Sequence, residues 1–279
     1  MVLVNVLNTD SIRIKIGQQP PSIREELAKT RLDVLLHEKR YFGSRQKAQD
    51  AIKAGAVLVD GSVIAKPGAT IPEGANIFIS REGICDYVSR GGIKLEHALK
   101  TFRIGVRDKT AIDIGASTGG FSDCLLSFGA KKIYAIDVGH GQMDESIAAN
   151  EKVILMEGVN AKYLTPGEIA RGNIDLAVID VSFISLKKVL VPVAAQLAIG
   201  ADIVCLVKPQ FEIGHGGGKH GGGIAKNGVV KSRDAQLKAL ESVKAYASEN
   251  GLVQIAETES PIAGGDGNKE FFLHLKKVD

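Results

Sequence analysis

The stretch TAIDIGASTGGFSDCLLSF, residues 110–128, constrains the fold more than any other part of this chain. A short apolar run ends near Asp113, a glycine turn follows, and a helical pattern begins at once. A strand that feeds a helix in this way opens a βα unit, because parallel strands need a crossover between them. The rhythm is repeated in KKIYAIDV, KVILM, IDLAVID and ADIVCLV, with helical segments between most of them. Upstream, GGIKLEHALKTF reads as a helix opening near Gly92. This alternation predicts a doubly wound parallel α/β sheet with helices on both faces. The end differs: LVQIAETES and EFFLHLKK are joined by the glycine-rich PIAGGDGNK without a helix, which predicts a closing hairpin and a reversed last strand. The longest apolar run, LVPVAAQLAIGADIVCLV (190–207), is broken by Pro192, Gln196, Gly200 and Asp202. It reads as a helix, a turn and a buried strand, since a membrane span needs ~20 mostly apolar residues.

The glycine turn departs from the dinucleotide pattern G-x-G-x-x-G. Ser117 stands where the second glycine would let the backbone approach a pyrophosphate, and Gly119 and Gly120 follow as a pair. No G-x-x-x-x-G-K-[ST] occurs, so a nucleoside triphosphate is not expected. S-adenosylmethionine carries no phosphate; it needs a shaped turn and a carboxylate suited to a sulfonium and an ammonium. Asp113 and the turn Gly115–Gly119 suit that need, and Gly115, Ser117, Gly119 and Phe121 are assigned to this cofactor with Asp113. Asp137 lies 24 residues after Asp113, at the end of the second strand, where an acidic residue accepts hydrogen bonds from ribose hydroxyls. NAD sites share this feature. Asn160, just past the third strand, has two equal readings, a partner for an adenine edge and an ordinary turn residue.

The N-terminal part is organised differently. Residues 1–28 form an extension without periodicity, with QQPPS (18–22) as a linker or arm. Residues 29–66 then hold eight Lys/Arg against four Asp/Glu, a local balance of +4 that exceeds the +3 of the whole chain. An uneven basic charge of this kind suits an anionic partner, and taken alone it suits a solvated surface at least as well. RLDVLLHE and SRQKAQDAIKA read as helices, the second capped by Ser44 and ended by Gly55. Arg45, Gln49 and Lys53 form a polar stripe on that helix. AVLVDGSVI reads as a hairpin turning at Asp60-Gly61, and IPEGANIFI as a further strand.

The segment RLDVLLHEKRYFGSRQKAQDAIKAGAVLVDGSVIAKPG resembles the S4 RNA-binding domain. The resemblance implies that Arg31, Ser44, Arg45, Lys47 and Lys53 face RNA, reading shape and backbone. It divides the chain into an extension (1–28), a small α+β S4 domain (29–83) and a larger α/β domain (84–279).

Four ionisable residues stand where elements begin or end: Lys94 in SRGGIKL, Asp180 in VIDVSF, Lys208 in LVKPQFE and Glu270 in GNKEFF. Ligands of an open parallel sheet sit beyond the carboxyl ends of its strands, so Asp180 and Lys208 are directed to one cleft. These motifs, with DIGASTGGF, resemble the FtsJ-like ribose 2′-O-methyltransferases, which have a Rossmann-like fold. Joined to an S4 domain, they resemble the TlyA family, whose members are often called hemolysins. The resemblance implies a catalytic tetrad of Lys94, Asp180, Lys208 and Glu270, S-adenosyl-L-methionine as cofactor, and cytidine in small- and/or large-subunit rRNA as substrate. A ribose hydroxyl is a weak acid, and Lys208 is the candidate that removes or attracts its proton. Free lysine has a pKa of about 10.4, which burial or a cation such as Lys94 would lower. Neutral Lys208 would act as a base and charged Lys208 would stabilise an alkoxide; the residues leave both open. Asp180 would orient Lys208, and Glu270 would hold Lys94 or the ribose.

Other readings are weaker. His215 and His220 lack a third ligand, so no metal is expected. A membrane-active protein would need a spanning or strongly amphipathic segment. A non-catalytic ribosome assembly factor would have lost tetrad residues, and all four are present. Cys85, Cys124 and Cys205 form no disulfide framework, and MVLVNVLNTDSIRIK makes a poor signal peptide. A cytoplasmic protein that works on ribosomal RNA or ribosomal subunits, without a membrane, is expected.

Overall fold

The computed structural model describes residues 5–6, 11–13, 29–80, 87–170, 173–213, 228–264 and 267–278. The chain divides into two compact units, Met1–Asp86 and Tyr87–Asp279. In the first, two short strands, β1 (Asn5–Val6) and β2 (Ser11–Arg13), precede β3 (Lys29–Arg31) and the helices α1 (Leu32–Glu38) and α2 (Arg45–Lys53). Four strands follow: β4 (Val57–Val59), β5 (Ser62–Val63), β6 (Thr70–Pro72) and β7 (Ile77–Ser80). Ser44 caps α2 by accepting from the Lys47 amide at 3.2 Å. Asp60 and Gly61 both have positive φ, as a type I′ hairpin requires, and Leu58 pairs with Val63 across it. Leu32, Leu36, Ala48, Ile52 and Val57 are completely buried in the core of this unit.

Two of its features were not read from the sequence. Within the extension, β2 pairs with β7 and β1 with β2. The second is the pair β3 and β6, which are antiparallel partners of three residues each. Strands this short have no readable alternation, and only their mutual pairing defines them. QQPPS and the glycine-rich 214–223, with His215 and His220, lie outside the described residues.

The second unit contains α3 (Arg90–Phe102), β8 (Thr110–Ile114), α4 (Gly120–Ser127), β9 (Lys132–Asp137), α5 (Glu145–Ala148) and β10 (Val153–Glu157). It continues with β11 (Ile174–Ile179), α6 (Leu190–Ala194), β12 (Leu197–Val207), α7 (Pro209–Glu212), α8 (Arg233–Glu249), β13 (Leu252–Glu259) and β14 (Phe271–Lys277). The seven strands are ordered β10-β9-β8-β11-β12-β14-β13. The first five run parallel, and β14 is antiparallel to both its neighbours, so the reversed strand is present. Ile112, Ile114, Ile136, Ile179, Ile203 and Leu273 are among the buried residues of the central core. The helix, turn and buried strand read in 190–207 are present, but β12 starts at Leu197, ahead of ADIVCLV, and carries a bulge: the offset to β11 jumps between the pairs Ile174–Leu197 and Leu176–Asp202, and Gly200 has φ +82°. Cys124 and Cys205 are buried free thiols.

Candidate active site

Sheet order brings the ends of β8, β11 and β12 together with the start of β14. Ile179 pairs with Ile114, and Val207 pairs with Phe271, so Gly115, Asp180, Lys208 and Glu270 continue one edge of the sheet. Here the tetrad residues stand as two ion pairs. Lys208 Nζ lies 2.6 Å from Asp180 Oδ1 and donates to Ser182 Oγ at 2.8 Å. Lys94, on α3, donates to Glu270 Oε2 at 2.6 Å across 176 positions of sequence. Both lysines are 11% exposed and Glu270 is 2% exposed, so these are mostly dry pairs in which removing one partner strands the other.

Beside this edge lies a cavity of about 550 Å3, within the ~300–1,000 Å3 usual for small-molecule sites. Its wall includes Gly115, Ser117, Asp137, Gln142, Asn160, Asp180, Ser182 and Phe183. Among the described residues, the wall holds two carboxylates and no lysine or arginine. That lining suits a cation and offers no cationic side chain to a pyrophosphate, so the cofactor expected from the sequence fits the donor set. Gly115 cannot be replaced cheaply: its φ is +81°, and a Cβ would collide with the Asp180 carbonyl oxygen. Asp137 shapes the same turn. Its Oδ2 accepts from the Ser117 amide at 2.8 Å and its Oδ1 from the Gly139 amide at 2.7 Å, leaving lone pairs for hydroxyl donors. Ser117 adopts φ +46°, a left-handed conformation that this carboxylate holds in place. Asn160 caps the 3₁₀ turn Ala161–Tyr163 by accepting from Lys162 N, as a turn residue does, and it also lines the cavity.

Three residues assigned to the cofactor are not on the cavity wall. Asp113 is completely buried behind it, accepting from Ser122 Oγ at 2.7 Å, and its Oδ1 has no partner. Gly119 packs against Met143 and Ile147, while Phe121 is buried near Phe272 with ring centroids 6.3 Å apart. A residue near the end of an apolar strand, as Asp113 is in β8, faces the ligand or the core according to the pleat, and the motif does not reveal which.

Gln142, Ser182, Phe183, Phe211 and Glu212 were not singled out from the sequence. Phe183 is 92% exposed on the cavity rim, has φ +63°, and lies 5.3 Å from the Phe211 ring. A left-handed phenylalanine costs roughly 1–3 kcal/mol and is a feature of functional sites. Glu212 fastens this segment, accepting from Ser185 Oγ at 2.6 Å and Leu186 N at 2.7 Å; burial pushes its carboxyl above the usual range. An aromatic in an exposed turn was the available signal, but its strain was not legible.

In the first unit, Asp33 is completely buried and gathers Arg31, Arg45 and Gln49. Lys53 is exposed; Ser44 and Lys47 are partly covered, and Ser44 serves the helix cap.

Fold and site together define an FtsJ-like methyltransferase with an S4 domain: the FtsJ-like methyltransferase family matches residues 87–277 and the S4 domain matches residues 30–77. TlyA from Mycobacterium tuberculosis, named a 16S/23S rRNA (cytidine-2′-O)-methyltransferase, is 38% identical, over 89% of this chain and 90% of its own. Hemolysin A from Brachyspira hyodysenteriae is also 38% identical, over 88% of this chain and 99% of its own. A solved structure from Streptococcus thermophilus, called a "putative hemolysin", superposes with a TM-score of 0.69 at 41% identity, covering 91% of this chain and 90% of that one. The chain belongs to the TlyA family of FtsJ-like methyltransferases and is an enzyme of that class. Among the described residues, no helix is long and apolar enough to cross a membrane.

Proposed function

We propose that this enzyme methylates the ribose 2′-hydroxyl of a cytidine in small- and/or large-subunit rRNA, using S-adenosylmethionine, with its S4 domain docking the RNA. The observation that carries the reading is the Lys208–Asp180 ion pair at the strand ends, beside a cavity whose wall bears carboxylates and no cation. The names of the relatives support the nucleotide and the RNA. S-adenosylmethionine supplies, when bound, an electrophilic methyl on a sulfonium. Asp137 accepts from ribose hydroxyls, and Asn160 takes the adenine edge with the amide nitrogen its cap leaves over. Asp180 adds negative charge to the wall and holds Lys208 in place. Lys208 lies against the attacking hydroxyl and stabilises the oxyanion that develops as its proton passes to solvent water. The Lys94–Glu270 pair fixes the other side of the edge, so that the hydroxyl meets the methyl in line. Phe183 offers an exposed ring to an unstacked base.

The test is transfer of labelled methyl from S-adenosylmethionine to unmodified ribosomal subunits and to free rRNA. Label in ribose 2′-O positions, reduced about 10²–10³-fold by Lys208→Ala with cofactor binding retained, is the expected outcome. Cofactor binding without transfer to any particle would overturn the reading.

A further inference from the structure

Of the S4 residues read as facing RNA, Arg31 and Arg45 share one unusual anchor. Asp33 sits in the first turn of α1 and has no exposed surface. Its Oδ1 accepts from Arg31 Nε at 3.0 Å and from the Val34 amide at 3.1 Å. Its Oδ2 accepts from Arg31 Nη2 at 3.1 Å, Arg45 Nε at 2.9 Å and Gln49 Nε2 at 2.7 Å. The carboxylate therefore receives five hydrogen bonds from β3, α1 and α2. The hydrogen bonds from Arg31 hold its carboxyl far below the usual carboxylate range, against the cost of burial.

The two guanidiniums are not consumed by this anchor. Arg31 and Arg45 side chains remain 51% and 48% exposed. Arg31 spends Nε and Nη2 on Asp33 and keeps Nη1, while Arg45 spends Nε and keeps both Nη groups. The Arg31 group is also backed by Gly68, where an added Cβ would lie 3.4 Å from Nη2. A free arginine on a surface samples many rotamers, and ordering it on binding costs affinity. Here that ordering precedes the ligand, in a planar fork whose geometry suits phosphate oxygens.

We infer that Asp33 is a positioning residue for RNA docking: it holds Arg31 and Arg45 as a rigid two-guanidinium fork for neighbouring backbone phosphates. The inference rests on the reading of the S4 domain as the RNA-docking module. A buried carboxylate removes one positive charge from the surface, so simple charge attraction would be better served without it. Its presence trades field strength for geometry.

The test uses the full chain and unmodified ribosomal subunits, with particle affinity measured directly and methyl transfer measured in parallel. Asp33→Asn keeps the size of the side chain and loses its charge. It is expected to weaken particle binding roughly tenfold, about the effect of ordering two side chains. KM for the particle should rise, while kcat and cofactor affinity stay unchanged. Arg45→Lys keeps the charge and loses the fork; a loss of several-fold is expected, and it should largely disappear when measured in the Asp33→Asn background. Asp33→Asn with lowered thermal stability but unchanged particle affinity would overturn the inference. If Asp33→Asn does not fold, Arg45→Lys decides alone: unchanged affinity overturns the fork. Wild-type protein that binds no ribosomal particle would instead overturn the docking role of the S4 domain, which the direct binding measurement separates from the fork.

Discussion

Asp113 shows how far burial can alter a single residue. Loss of water pushes its carboxyl up to about 7, despite the Ser122 hydrogen bond, and the charges of Asp180 and Asp137 add to the rise. A folded pKa raised above the unfolded ~3.9 means that the native state keeps a proton the unfolded chain has released. Stability therefore falls as pH rises from about 4 to about 7, by on the order of 4 kcal/mol, and levels off above. Asp113→Asn keeps a partner for Ser122 and removes the titration. Urea midpoints measured between pH 4 and pH 7 should slope less in this variant than in the wild type. The sequence placed Asp113 correctly at a strand end, but a strand end alone does not say whether a carboxylate meets the ligand or the core.

At the scale of elements, Gln196 does what apolar periodicity cannot. It interrupts an apolar run, and in the fold it is completely buried between α6 and β12. Its Oε1 accepts from the Ile169 amide at 2.9 Å, and its Nε2 donates to the Thr165 and Pro192 carbonyls at 2.7 and 3.1 Å. One side chain thus satisfies backbone groups of the connection between β10 and β11. Gln196→Leu should cost roughly 1–3 kcal/mol for each backbone group left without a partner. The expected reading is a lower urea midpoint with an unchanged m value. The alternation of strands and helices was readable because it rests on local side-chain periodicity. The start of β12 was not, because glycine at φ +82° looks the same in a bulge as in a turn.

Each unit of the molecule has buried hydrophobic packing of its own, and the two carry different surface chemistry. The cavity proposed for the cofactor has, among the described residues, a wall with carboxylates and no lysine or arginine, whereas residues 29–66 carry the local basic excess. These should respond differently to salt. Affinity for ribosomal particles is expected to fall with a log–log slope of about −0.7 to −0.9 for each phosphate neutralised. Cofactor affinity, measured on the same protein over the same salt range, should change little by comparison. Equal salt dependence of the two would place phosphate recognition inside the cavity and contradict the assignment.

The sequence alone determined the alternation of strands and helices in the larger unit, the reversed end of its sheet, the glycine turn, and the residue types at the ends of its elements. Each of these follows from neighbours a few positions apart, where propensity and periodicity act. Only the tertiary structure gave the close geometry of the Lys94–Glu270 and Lys208–Asp180 pairs that the resemblance had implied, buried Asp113 away from the cavity wall, and gathered two arginines on Asp33. These depend on strand order and on which side chains burial forces together. No local pattern in the chain records either.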